Sequence, residues 1–126
     1  MKFLTRQGTV FVLFLVLAFG VSCSRDVGPP APLTAEELPA VFDKAFSKAK
    51  PEAKDLATQV VAAVQAKDYA KAHANLQNLA GKAGLTKEQM SVTTRGMLTV
   101  NTLLQEAQAQ GDAKAAQTLK TYRVNK

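Results

Sequence analysis

The sequence predicts an all-α protein of about five helices, arranged as stacked antiparallel helical hairpins behind an apolar N-terminal helix and a proline-rich tether. Three observations support this class. From residue 34 onward, apolar residues recur at the helical spacing i, i+3, i+4, i+7. Alanine, glutamine, lysine and leucine dominate this part, whereas β-branched residues are few. Helix-starting and helix-ending residues divide the pattern into segments of helical length.

Residues 1–22 have the pattern of a secretory signal peptide. Lys2 and Arg6 precede a nearly unbroken apolar run from Val10 to Val21. A helix needs roughly 20 residues to cross the hydrocarbon of a bilayer, and this run has about a dozen. An uncleaved signal anchor is the alternative, and the shortness of the run argues against it.

The small residues that lead into Cys23 resemble the lipobox of bacterial lipoproteins. Val21 and Ser22 fit the two positions before the cysteine, whereas Gly20 stands where that family usually has a branched aliphatic residue. The resemblance implies signal cleavage between Ser22 and Cys23, and attachment of lipid to the Cys23 thiol. Ordinary cleavage after Ser22 or Ser24, without lipid, is the alternative.

Cys23 is the only cysteine, so the chain cannot form an internal disulfide after export. A single thiol in an oxidising compartment is unusual, and lipid attachment would explain its presence. Each buried methylene contributes about 0.8 kcal/mol, and two or more acyl chains therefore hold a protein firmly. The resemblance implies membrane contact through the N-terminal lipid and a location in the bacterial cell envelope. Ser24 beside the cysteine implies the outer membrane, facing the periplasm.

The rest of the chain divides into a tether and one domain. Residues 23–33 are expected to form the lipidated tether, because Gly28, Pro29, Pro30 and Pro32 favour extended polyproline II. Residues 34–126 are long enough for one α-helical domain with a single modest core.

Two helices are predicted in the first part of this domain. Thr34 and Glu37 form a capping box, and Pro39 either kinks the helix or places its start at Leu38. Pro51 suits the first turn of the second helix. The residues expected to be buried are Leu38, Val41, Phe42, Ala45, Phe46 and Ala49, then Leu56, Val60, Ala63 and Val64.

Three further helices are predicted. Asp68 is the expected N-cap of the third, and Thr86 with Gln89 forms a capping box that starts the longest helix. Gly111 and Asp112 separate that helix from a short last one. The residues expected to be buried are Tyr69, Ala72, His73, Leu76, Leu79 and Ala80, then Met90, Thr93, Met97, Val100, Leu104 and Ala107, then Ala115, Ala116, Leu119 and Tyr122.

Two stretches of the domain resemble each other. A shift of 43 places residues 65–77 on 108–120, and in both a helix ends, a tight turn follows and an alanine-rich helix begins. This similarity predicts two stacked helical hairpins with a leading helix. The matching residues are Gln65, Ala66, Ala70, Lys71, Ala72 and Leu76 with Gln108, Ala109, Ala113, Lys114, Ala115 and Leu119.

Residues 68–79 resemble the second helix of a tetratricopeptide repeat in the spacing of Asp68, Tyr69, Ala72, Leu76 and Leu79. Helical stacks of that type bind peptides or proteins. The resemblance therefore implies another envelope protein or a peptide as the partner. The candidate interaction face consists of Tyr69, Lys71 and His73.

No catalytic residue, metal site, cofactor or small-molecule substrate is predicted. His73 is the only histidine and has no cysteine or histidine partner at ligand spacing. Without Lys2 and Arg6 the formal charge is about +4, and acidic residues are interleaved with the basic ones. No aromatic residue is grouped with the lysines, so nucleic-acid binding is not expected.

A second function is suggested by Leu85-Thr86 followed by Gln89, and by its near copy Leu33-Thr34 followed by Glu37. These residues resemble the Leu-Thr-x-x-Gln motif of Spy/CpxP-type periplasmic chaperones, which cradle unfolded clients on a basic concave helical surface. A chaperone or envelope-stress protein is therefore the alternative. The first hypothesis is a lipid-anchored, non-catalytic protein-interaction module.

Overall fold

The computed structural model describes residues 30–125. The predicted signal peptide, Ser22 and Cys23 lie outside the described residues. Within them the chain forms five α-helices and no strand, which confirms the predicted all-α class. The helices are α1 (Leu38–Phe46), α2 (Pro51–Gln65), α3 (Tyr69–Ala80), α4 (Lys87–Ala109) and α5 (Ala113–Val124).

The helices start where the sequence predicts because short polar side chains bind their first backbone N–H groups. The Thr86 hydroxyl accepts from the Gln89 backbone N–H (3.1 Å), and the Gln89 side chain accepts from the Thr86 backbone N–H (3.0 Å). Both halves of the capping box are therefore present. The Asp68 side chain caps α3 by accepting from the Lys71 backbone N–H at 3.2 Å.

The first capping box lies one turn ahead of its helix. The Thr34 and Glu37 side chains bind each other's backbone N–H groups at 3.1 and 2.9 Å, but α1 begins at Leu38. Pro39 is thus in the first turn of α1, where proline is tolerated. The Leu38 N–H binds the Thr34 carbonyl oxygen at 3.1 Å and the Val41 N–H binds the Glu37 carbonyl oxygen at 3.1 Å, whereas Pro39 between them has no N–H to donate. Of the two predicted possibilities, the later start is the correct one.

The helices pack as two hairpins with a leading helix, as the internal similarity predicts. α2 pairs with α3, and α4 pairs with α5, in each case across a three-residue connection. α3 also contacts α4 and α5, so it joins the two hairpins. α1 packs against α2 and α4 and closes the open side between them.

The connections within the two hairpins are built in the same way. The residue after each helix cap has a positive φ, 59° at Lys67 and 95° at Gly111. The following aspartate donates its N–H to a carbonyl five residues earlier, at 2.8 Å for Asp68 and 3.0 Å for Asp112. Both connections are Schellman motifs that lead directly into an aspartate-capped helix.

The turns and the helices after them follow different registers. The N-cap residues Asp68 and Asp112 are 44 positions apart in the sequence. The corresponding buried residues, such as Ala72 and Ala115, are 43 positions apart. In α3 the first buried residue is Ala72, the fourth of the helix, and in α5 it is Ala115, the third. The two hairpins are thus similar in construction, but α5 lies in a slightly different rotation against its neighbours.

The centre of the core is formed by α1 against α4. Phe42 and Phe46 are fully buried, and their rings stack with centroids 5.8 Å apart. A Cβ atom at Gly96 would lie only 2.6 Å from Cζ of Phe42 and 2.8 Å from its Cε2. The glycine therefore lets the aromatic ring lie directly against the backbone of α4. The other fully buried large side chains are Leu38, Val60, Leu76, Leu79, Val100 and Leu104.

The rotation of α4 differs from the prediction. Met90 is 52% exposed and Met97 is half-buried, and Ala80 at the end of α3 is exposed, so the predicted burial of Met90 and Ala80 is wrong. Thr93, Val100 and Leu104 are buried as predicted. The buried face of α4 also includes Gln89, Val92, Gly96 and Thr99.

Polar contacts with α1 and the segment before it explain this rotation. The Gln89 side chain donates to the Ala45 carbonyl oxygen at 3.2 Å, and the Thr99 hydroxyl donates to the Leu33 carbonyl oxygen at 2.6 Å. Because these polar groups have partners on another element, they can be buried. A hydropathy pattern does not reveal such partners, since they are distant in sequence.

The end of the predicted tether belongs to the folded body. Leu33 is only 4% exposed, and Arg95 donates its Nε–H to the Ala31 carbonyl oxygen at 2.9 Å. Residues 31–33 therefore lie along α4. Burial of the Leu33 side chain and hydrogen bonds from Arg95 and Thr99 hold them there. The folded part of the chain thus starts a few residues before the predicted boundary at residue 34.

Replacing Gly96 with alanine should destabilise the protein. Alanine favours a helix interior by up to about 1 kcal/mol, but its Cβ would collide with the ring of Phe42. Overpacking of this kind costs about 1–3 kcal/mol, so the free energy of unfolding in urea should fall. Gly81→Ala is the control, because its Cβ would have only ordinary contacts at 3.6 Å. Equal stability of both variants would contradict the proposed ring contact.

Candidate functional site

The three residues of the predicted interaction face lie on α3 but do not share one surface. Tyr69 and His73 are one helical turn apart and point to the same side, where Tyr69 is half-buried and His73 is buried. Lys71 is exposed and lies on the opposite side of the helix. Two hollows, one around Tyr69 and one around His73, are therefore the candidate sites.

The hollow around Tyr69, here named the turn cleft, lies where the connections of the two hairpins meet. It consists of two adjoining cavities of about 180 and 480 Å³, which share Lys67, Tyr69 and Asp112. Leu103, Leu104 and Ala107 add apolar surface from α4. The remaining residues of its lining are Ala66, Asp68, Ala70, Glu106, Gln110, Gly111, Lys114 and Ala115.

An ion pair joins the two hairpins at the turn cleft. Lys114 Nζ on α5 lies 3.1 Å from Asp68 Oδ1, the same oxygen that caps α3. The Lys71 backbone N–H and then the Lys114 side chain lower the pKa of Asp68 by hydrogen bonding its charged form. Since both side chains reach solvent, the pair mainly orients the rim of the cleft and adds little stability.

The second hollow, here named the α3–α5 groove, has a volume of about 330 Å³. α3 contributes Ala70, His73, Ala74 and Gln77. α5 and the residue after it contribute Gln117, Thr118, Thr121, Tyr122 and Asn125. Two alanines form part of the α3 side, which leaves open space between the longer polar side chains.

His73 is the most perturbed group of this groove. It is only 4% exposed, and its ring is perpendicular to that of Tyr122, with centroids 5.1 Å apart and planes at 87°. Its Nε2 atom is buried and has no hydrogen-bond partner within residues 30–125. Burial lowers the pKa of His73, because desolvation disfavours the charged imidazolium.

The sequence predicts His73 as part of an interaction face but not the residues that surround it. The helical pattern predicts Tyr122 on a buried stripe, whereas it lies half-buried at the groove and pairs with His73 from another helix. No pattern in the sequence marks Gln77 or Gln117 as residues of a site. The similarity between residues 65–77 and 108–120 could have indicated this pairing. It makes α3 and α5 the second helices of two adjacent hairpins, and such helices lie side by side.

Neither a metal cluster nor a membrane span is found within residues 30–125. No three histidine, cysteine, aspartate or glutamate side chains are grouped there in a way that could hold a metal ion. None of the helices in that range is both long enough and apolar enough to cross a membrane.

Fold and hollows together define a small all-α domain of two helical hairpins, with a charged cleft at its turns and an uncharged groove between its second helices. Comparison of the chain with protein-family models, with curated proteins and with solved structures finds no match.

Lowering the pH should destabilise the fold through His73. Its folded-state pKa lies below the usual 6.5, so the unfolded chain binds the proton first. The free energy of unfolding should be flat above pH 6.5 and should fall as the pH drops from 6.5 through the folded-state pKa. The pKa values of Glu37 and Asp68 are also lowered, from 4.5 and 3.8, so these groups titrate in a more acidic range.

Urea unfolding at a series of pH values measures this effect, and His73→Leu is the control that should not show the decline. Because the chain has one histidine, an NMR titration of its imidazole reports the same pKa without assignment ambiguity. A value at or above 6.5 in the folded protein would contradict the burial argument.

Proposed function

We propose that this chain is a bacterial envelope lipoprotein whose helical body is a non-catalytic protein-interaction module. The leader supports export, since Lys2 and Arg6 precede a short apolar run that ends at the only cysteine. Lipid on Cys23 would anchor the chain in the outer membrane. The eight residue-to-residue steps from Cys23 to Ala31 would span about 25 Å in an extended polyproline conformation.

The observation that carries the interaction proposal is the position of Tyr69 in the turn cleft. Its ring is half-buried between the two hairpin connections, with apolar side chains of α4 beneath it. Lys67, Glu106 and Asp112 surround it with both signs of charge. Protein interfaces commonly combine a tyrosine anchor with a polar rim, and such anchors carry much of the binding energy.

The partner proposed for this cleft is a protein or peptide of the envelope. The backbone of the cleft is set by the two Schellman connections and the helices after them, so it requires little ordering on binding. Charges of both signs on the rim favour a partner with mixed charges over a strongly acidic or basic one.

Replacing Cys23 with alanine should release the protein from membranes. Without the thiol no lipid can be attached, and the acyl chains that hold the body are lost. After expression in a bacterial host, the variant should move from the detergent phase to the aqueous phase and lose the mass of the lipid. Ser24→Ala is the control and should keep the lipid. If Cys23→Ala partitions and migrates like the wild type, the anchor is wrong.

The interaction site can be tested by photo-crosslinking in intact cells. A photoreactive residue at Gln110, on the rim of the turn cleft, should give a defined adduct, and Tyr69→Ala should abolish it. The same residue at the exposed Lys48, outside the cleft, is the control. An adduct that forms equally well without the Tyr69 ring would contradict this site.

The chaperone alternative gives a different result in the same system. The Thr86 and Gln89 side chains, and the Thr34 and Glu37 side chains, bind backbone groups at the starts of helices. The residues that resemble the chaperone motif thus act as helix caps, which explains their presence without a chaperone function. The interaction module is therefore the preferred proposal. Suppression of a denatured client's aggregation at substoichiometric amounts, with many diffuse crosslinks, would favour the chaperone instead.

A further inference from the structure

The α3–α5 groove is distinct from the turn cleft in its chemistry. Apart from His73, no acidic or basic side chain among residues 30–125 lines it, although 21% of the chain is charged. Ligands that depend on a counter-ion, such as phosphates or carboxylates, would find no partner charge in the lining. An uncharged polar ligand fits this surface.

The groove presents groups that both donate and accept hydrogen bonds. Gln77 on one wall, and Gln117 and Asn125 on the other, carry carboxamides with an acceptor oxygen and a donor nitrogen. Gln117, Thr121 and Asn125 follow one another at four-residue steps, which spaces them over about 12 Å along α5. Hydroxyl groups of a ligand, which also donate and accept, match such a row.

The inner end of the groove has an unsatisfied polar atom beside an aromatic ring. His73 is 96% buried and its Nε2 has no partner among the described residues, a rare situation for a native buried group. The half-buried ring of Tyr122 offers an apolar surface next to it.

We propose that the α3–α5 groove binds an uncharged saccharide of one or two rings. Its volume of about 330 Å³ lies at the low end of small-molecule sites, which span about 300–1,000 Å³. Sugars combine many hydroxyls with apolar C–H faces, and the groove combines carboxamides and hydroxyls with one aromatic ring. This inference goes beyond the protein-interaction proposal and does not depend on it.

A peptide is the competing ligand, and the groove suits it less well. Peptides gain much of their affinity from side chains that enter apolar pockets. Here the apolar surface comes from the methyl groups of Ala70 and Ala74, the ring of Tyr122 and the aliphatic parts of the Gln and Thr side chains. No large aliphatic side chain is among the described residues of the lining, so there is no deep apolar pocket for a peptide side chain.

The binding test uses the full chain in detergent micelles and the NMR signals of His73, the only imidazole. Titration with cellobiose and with chitobiose, both uncharged disaccharides, should shift these signals in a saturable way with at least one of the two. The shift should persist in Cys23→Ala, so failure of the anchor and failure of this site can be told apart.

Two pairs of variants locate the binding. Ala74→Phe fills the groove and should abolish the saturable shift. Gln117→Ala removes one carboxamide and should weaken binding about tenfold, near the effect of one lost hydrogen bond. The matched controls are Ala62→Phe on α2 and Gln105→Ala on α4, whose residues are likewise exposed but lie outside the groove. These should bind like the wild type, and circular dichroism checks that all four fold.

Three results would overturn the proposal. The first is no shift with either disaccharide up to about 20 mM, well above the millimolar affinities of weak sites. The second is a shift that Ala74→Phe and Gln117→Ala leave unchanged. The third is saturable binding of an uncharged Ser-Gly peptide with capped ends, with neither sugar competing, which would identify a peptide groove.

Discussion

The contact between the Phe42 ring and the backbone at Gly96 is the constraint on which the arrangement of the helices depends. A ring can approach a helix this closely only where the helix lacks a Cβ atom. With Phe42 in that position, Phe46 stacks on it from the next turn of α1. α1 then contacts both α2 and α4 and covers the core between the hairpins. A glycine that weakens α4 as an isolated helix is thus required by the tertiary packing.

The same flank of α4 receives the chain before α1. Leu33 is buried there, while Arg95 and Thr99 bind carbonyl oxygens of residues 31 and 33. These carbonyls lie outside any helix, so side chains of α4 satisfy groups that would otherwise need water. The folded body therefore has a defined entry point for the chain that precedes it. If Cys23 carries lipid, the short linker attaches the membrane to this flank.

Both candidate sites arise from the repetition of one hairpin design. The two connections meet because their hairpins lie side by side, and the Lys114–Asp68 ion pair crosses between them. The α3–α5 groove is open because alanines at 70 and 74 leave space beside the longer side chains of α5. α3 and α5 contact each other less than either contacts its hairpin partner, which leaves room for a groove between them.

Local sequence determined the helices of this protein. Thr86, Asp68 and Asp112 mark helix starts because their side chains bind backbone N–H groups two or three residues away, and such bonds can be read from spacing alone. Helical periodicity likewise identified the buried faces of α1 and α2, where hydrophobic residues dominate. The leader and Cys23 lie outside the described residues, so those predictions remain predictions.

Tertiary structure alone decided the rotation of α4 and the composition of the sites. Gln89 and Thr99 are buried and Met90 is exposed because hydrogen-bond partners on α1 and residue 33 come from more than 40 positions away. The pairing of His73 with Tyr122 likewise depends on how two helices lie against each other. Spacing along one helix specifies which residues share a face, but only packing between helices determines what that face meets.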